Sequence, residues 1–176
     1  MNEPNAGLWL LQAESDRLCA QKVWADGDYR LYCQVIAKYQ QIVEKSVKAV
    51  FASIKDFGIA GLPGLGYSHD LAKLVDALSR LPKSRGTNDI QMKVNGLLTN
   101  YHRQEILAIS RLAPKRPVSA GELHRQNTEY PYETAAGVWI APASPEAFTA
   151  RQLERFRILA EYVFGGAKKI VSTLRR

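Results

Sequence analysis

The chain has 176 residues, with 46% apolar and 23% charged residues, which is one domain's worth of ordinary globular composition and excludes a chain disordered throughout. With 12 Gly and 8 Pro it is neither collagen-like nor low-complexity, and no apolar run approaches the ~18 residues that span a bilayer. The formal charge of +7 is uneven: residues 80–125 hold nine basic groups against three acidic ones, whereas residues 1–79 are nearly balanced at eight against nine. Such a concentration attracts polyanions, or simply solvates one face.

The first helix is predicted over about 7–25, where Leu8, Leu11, Ser15 and Leu18 follow a helical spacing and Trp9, Val23 and Trp24 add bulk. Asp26-Gly27-Asp28 ends it: Gly27 suits a C′ position at positive φ, and Asp28 suits the N-cap of the next element. The second helix is the clearest. Tyr32, Val35, Ile36, Tyr39, Ile42, Val43, Val47, Val50, Phe51 and Ile54 recur every three or four residues, and no Gly or Pro interrupts residues 28–57. At 1.5 Å per residue this is a rod of about 45 Å, whose apolar stripe needs helical partners along its length.

Gly58, Gly61, Pro63, Gly64 and Gly66 make a breaker-rich crossover. It lacks the preceding strand and the closing Gly-Lys-Ser/Thr of a phosphate-binding loop. Ser68 offers an N-cap to a short third helix carrying Leu71, Leu74, Val75 and Leu78 and stopping at Pro82. A fourth helix is expected over 88–111, its stripe running through Ile90, Val94, Leu97, Leu98, Tyr101, Ile106, Leu107 and Ile109. Residues 113–147 hold five of the eight prolines and form a long excursion, with one added helical turn expected at 119–124 and one strand-like run at Val138-Trp139-Ile140. The last helix begins near Thr149, which with Gln152 has capping-box spacing, and buries Leu153, Phe156, Leu159, Val163, Ala167, Ile170 and Leu174. Gly165-Gly166 within it serves either a close helix crossing or a kink. The class is all-α: a single domain over 1–176, built as an up-and-down bundle of four to five helices with a long Pro-rich excursion before the last.

Chemistry is sparse. The three histidines, His69, His102 and His124, fall in different segments, no His-x3-His pair shares a helix, and two isolated cysteines, Cys19 and Cys33, form no metal-ligand spacing. No metal and no cofactor is expected. Thiol usage and an N-terminus without a basic, apolar leader fit a reducing, cytoplasmic setting.

The informative series is Gly27-Asp28-Tyr29-Arg30, then Gln40-Gln41-Ile42-Val43-Glu44-Lys45-Ser46-Val47-Lys48-Ala49, then Tyr67-Ser68-His69-Asp70-Leu71, and finally Tyr130-Pro131-Tyr132 before the closing amphipathic helix. In order and spacing this resembles the HEPN family of small helical nucleotide-binding domains, over about residues 10–80 and 125–174. The resemblance implies a helical bundle, often a homodimer. Its members bind nucleotide or RNA, partner a minimal nucleotidyltransferase, or act as metal-independent ribonucleases in bacterial toxin–antitoxin and defence systems. The ribonuclease members are similar in carrying Arg, four to six residues, then His. Here the nearest approach is Arg116 to His124, with seven residues between, so the motif is absent as written. Glu129 also replaces the usual Arg before Tyr-Pro, with Arg125 a turn earlier.

The reading is therefore a non-catalytic binding module. The alternatives are a ribonuclease with an atypical pair drawn from Arg116, His124 and Arg125, in which Arg stabilises phosphate charge and His takes a 2′-hydroxyl proton, and a purely structural interaction domain. The candidate ligand contacts are Lys45, Lys48, His69, Arg103, Arg125 and Tyr130. Four of them have a plainer role beside this one. Glu44 and Lys48 are an i,i+4 pair, Lys45 is a solvated cation, His69 caps a helix, and Tyr130 packs a turn.

Overall fold

The computed structural model describes residues 5–58, 71–81, 88–113 and 125–174. Six α-helices run through them: α1 (Ala6–Asp26), α2 (Tyr32–Asp56), α3 (Leu71–Ser79), α4 (Asn88–Leu97), α5 (Asn100–Ser110) and α6 (Ala150–Leu174). A two-residue antiparallel ladder, β1 (Tyr132–Glu133) with β2 (Trp139–Ile140), pairs Tyr132 with Ile140 and Glu133 with Trp139. The fold is the all-α bundle that the periodicity predicts. Among the described residues, no helix is long and apolar enough to cross a membrane.

Most boundaries follow local chemistry. Asn5 caps α1, its carboxamide oxygen accepting from the Leu8 N–H at 3.1 Å. Gly27 closes the helix at φ +72°, where a Cβ is disfavoured, and its N–H bonds the Trp24 carbonyl. Asp28 accepts from the Arg30 N–H at 2.9 Å and starts a 3₁₀ turn, Tyr29–Leu31, that leads into α2. The Thr149–Gln152 capping box is formed in both directions, at 2.9 and 3.2 Å.

The core stripe of α2 is the predicted one, with Val35 through Ile54 buried and Tyr32 packed at its edge. Helices α1 and α2 are antiparallel: Trp24 stacks on Tyr32 at 6.4 Å, Asp16 meets Lys38 and Lys45, and Trp9 lies against Lys48. On α1 the expectation is inverted. Leu8, Leu11 and Leu18 face solvent, and the buried positions are Ala6, Ala13, Asp16 and Ala20. Small side chains let α1 lie close on α2 and α6, so the helix is held by its alanines and by Trp9, Leu10, Val23 and Trp24 rather than by its leucines.

The predicted fourth helix is also divided. It stops at Leu97 and restarts at Asn100, because the Thr99 hydroxyl caps the N–H of His102 at 3.2 Å. Both halves lie antiparallel along α6: Lys93 reaches Thr173, Leu97 abuts Gly166, and Glu105 binds Arg155. The restart changes the phase of the stripe. Ile106 and Ile109 stay buried, but Tyr101, expected in the core, is 63% exposed. Gly165-Gly166 does not interrupt α6, which runs through both. A Cβ on Gly166 would stand 2.5 Å from a Leu97 methyl, whereas one on Gly165 would meet nothing, so Gly166 alone serves close crossing by α4.

The expected helical turn at 119–124 lies outside the described residues. Beyond it, Thr128 ties the chain back to α5 by donating from N–H and hydroxyl to the Leu112 carbonyl, at 3.1 and 3.3 Å. The strand-like run at 138–140 is β2.

Candidate functional site

Tyr162 occupies the junction of α4, α5 and α6. Its hydroxyl donates to the Gly96 carbonyl at 2.7 Å. That carbonyl is one of the last four of α4, which have no partner within the helix, so the break at residues 98–99 creates the acceptor that orients the ring. The imidazole of His102 stacks on the same ring, centroids 3.9 Å apart and planes at 22°. Tyr101 stands edge-on to His102, at 5.4 Å and 69°.

The Thr99 hydroxyl lies 2.8 Å from His102 Nδ1 while it also accepts the His102 backbone N–H. Having accepted the backbone proton, the hydroxyl has its own proton to give Nδ1. The arrangement then suits the tautomer with its proton on Nε2. Burial lowers the His102 pKa, against a smaller opposing pull from Glu105, so the ring is neutral near pH 7. Glu105 is buried and holds the Arg155 guanidinium through two N–H donors, and this pairing raises the Arg155 pKa.

Next to the aromatic cluster is a groove of about 460 Å³ between α4 and α6, lined by Lys93, Gly96, Leu97, Glu161, Tyr162, Gly165, Gly166, Lys169 and Ile170. The two glycines open its floor by presenting no side chains. Lys93 donates to Asp89 at 2.8 Å and to the Thr173 hydroxyl at 3.2 Å, and Lys169 is exposed on the following turn of α6. Glu161 is the one lining carboxylate, and the Arg17 guanidinium lies 3.5 Å from it. Helix α6 as a whole carries five cationic side chains against two acidic ones.

The residues singled out by sequence do not converge here. Lys45 bonds the buried carboxylate of Asp16, which Lys38 also reaches at 3.1 Å. Lys48, only 8% exposed, bonds Glu44 at 2.7 Å and places its ammonium 4.8 Å from the Trp9 ring centre. Both lysines cross-link α1 and α2 and neither lines the groove. Arg103 is half-buried on α5. Arg125 and Tyr130 are half-buried in the returning chain, where Asn127 donates to the Arg125 carbonyl at 3.1 Å and accepts from the Tyr130 N–H at 2.7 Å. His69, Arg116 and His124 lie outside the described residues.

Sequence reading missed Tyr101, His102 and Tyr162 as a group because they meet only across α5 and α6. The available signal was Thr99 three residues before His102, a cap that restarts a helix. Among the described residues no three His, Cys, Asp or Glu side chains gather in a way that holds a metal, and both cysteines are free thiols, Cys19 exposed and Cys33 buried. No family model, curated protein or solved structure matches the chain.

Proposed function

We propose that the protein is a HEPN-like, non-catalytic binding module for RNA or nucleotides, with the α4–α6 groove as its anion seat. The observation that carries this reading is the groove itself. Two lysines from different helices flank a floor of glycine backbone, and the single carboxylate in its lining lies 3.5 Å from the Arg17 guanidinium, which also pairs with Glu14 at 2.7 Å. A phosphate there meets positive charge in a concave surface, where the fields of the two lysines add. The HEPN-like order of the sequence, with its Gly-Asp turn, long second helix and amphipathic last helix, supports the same class. That resemblance also implies a homodimer, a nucleotidyltransferase partner and a bacterial defence or toxin–antitoxin setting, all of which remain part of this proposal.

Fluorescence anisotropy of a labelled RNA, titrated at several salt concentrations, tests the seat. Binding is expected to weaken linearly on a log–log plot, with a slope near −0.7 per neutralised phosphate for a single strand. A Lys93→Gln, Lys169→Gln double variant is expected to flatten that slope. Wild-type protein that binds neither RNA nor mononucleotides at low salt removes the proposal.

A further inference from the structure

We propose that Tyr101, His102 and Tyr162 form a stacking step for an unpaired base, so that the groove beside them takes single-stranded RNA in preference to duplex. This rests on the anion-seat reading above and adds what the ligand must present besides phosphate.

Three observations carry it. First, two of the three rings are held in place before any ligand arrives. Tyr162 is tied to the Gly96 carbonyl, His102 to Thr99, and the two rings are already stacked. An unpaired base landing on such rings loses little to side-chain ordering. Second, the outer ring is open. Tyr101 is 63% exposed and Tyr162 41% exposed, whereas α5 buries Ile106 and Ile109. Ile158, one turn before Tyr162 on the same face of α6, is also exposed and extends the apolar surface. Third, charge and rings are contiguous. Tyr162 is both a wall of the groove that Lys93 and Lys169 flank and the ring on which His102 rests. A strand with its phosphates over the lysines runs along α6 to the rings, Tyr162 lying about two turns from Lys169.

This combination of aromatic faces and a cationic track is how single strands are held without strict sequence readout. A duplex keeps its bases stacked inside the helix and presents only phosphate and sugar to such a surface.

The test compares a labelled single-stranded RNA, the same RNA annealed to its complement, and inorganic polyphosphate as a competitor without bases. Wild-type protein is expected to prefer the single strand. Tyr101→Ala is expected to weaken single-strand binding about tenfold and leave polyphosphate competition unchanged, and Tyr101→Phe is expected to restore it. A 2-aminopurine placed in the strand is expected to be quenched by wild type and not by Tyr101→Ala. Equal affinity for single strand and duplex, or a Tyr101→Ala variant that binds like wild type, overturns the stacking step alone if polyphosphate still binds. Absence of binding by every polyanion overturns both the step and the seat.

Discussion

Asp16 is 3% exposed in the interface of α1 and α2, and two ammonium groups, those of Lys38 and Lys45, converge on its carboxylate. Removing a buried partner leaves the remaining charges uncompensated, which costs more than the pair contributes when intact. Asp16→Ala is expected to lower stability by about 3 kcal/mol, read as a shift in the denaturant midpoint. Lys45→Ala, whose partner retains Lys38, is expected to cost less and to leave RNA affinity unchanged. Loss of RNA binding in Lys45→Ala would place the ligand at the α1–α2 face instead. His102 gives a pH dependence. Burial holds its pKa below the ordinary value of 6.5, so as pH falls below about 6.5 the unfolded chain takes up a proton before the folded one. The stability present above that pH is lost as pH drops toward the folded-state value. The melting temperature of wild type relative to His102→Gln is therefore expected to be constant above about pH 7 and to fall on acidification. A difference that stays flat to pH 5 would mean that the ring is not desolvated.

At the scale of elements, the α4–α5 break and Gly166 of α6 form one packing device. Thr99 ends the phase of one helix and begins another, and Leu97, at the end of the first, lies against the backbone of Gly166. Thr99→Ala removes the N-cap of α5 and is expected to cost about 1 kcal/mol. It also frees the imidazole from its Nδ1 partner, so base stacking should weaken beyond what the stability change explains. The two glycines are expected to differ. Gly165 has open space where a Cβ would go, so Gly165→Ala should stabilise by about 0.5–1 kcal/mol through helix propensity. Gly166→Ala gains the same propensity but drives a methyl into Leu97, so α4 must shift and the net effect is expected to be a loss. A Gly166→Ala variant whose melting temperature rises with that of Gly165→Ala would show that the crossing has room for a methyl.

At the scale of the whole molecule, buried charge is paired: Asp16 with Lys38 and Lys45, Lys48 with Glu44, and Glu105 with Arg155. Helices α2 and α6 supply the largest shares of the buried apolar side chains, α3, α4 and α5 add theirs, and the cationic groove lies between α4 and α6. The basic excess of residues 80–125 contributes Lys93 to this groove, and Arg80 pairs with Asp76 in the open. The other groove cation, Lys169, comes from a segment that composition alone did not single out. Amphipathic helices are legible because their stripes are local: the α2, α3 and α6 positions marked by three- and four-residue spacing are the buried ones, except Tyr32 and Leu174 at the ends, which are half-buried. The α1 stripe misleads because alanine is a weak hydrophobic signal in sequence and yet the best side chain for a close crossing. Tyr101 misleads for a related reason: its position fits a continued stripe, and a single threonine hydroxyl resets the helix.

Spacing along the chain was enough to establish the all-α class, the helix ends at Gly27 and Thr149, and the Glu44–Lys48 pair, because each depends on residues within a turn or two of one another. Which lysines are spent on Asp16 and Glu44, which leucines meet water, and which rings come together at Tyr162 were settled by tertiary packing. Those outcomes depend on distances between residues tens of positions apart, and close contact between helices is set by the shape of both surfaces rather than by the periodicity of either.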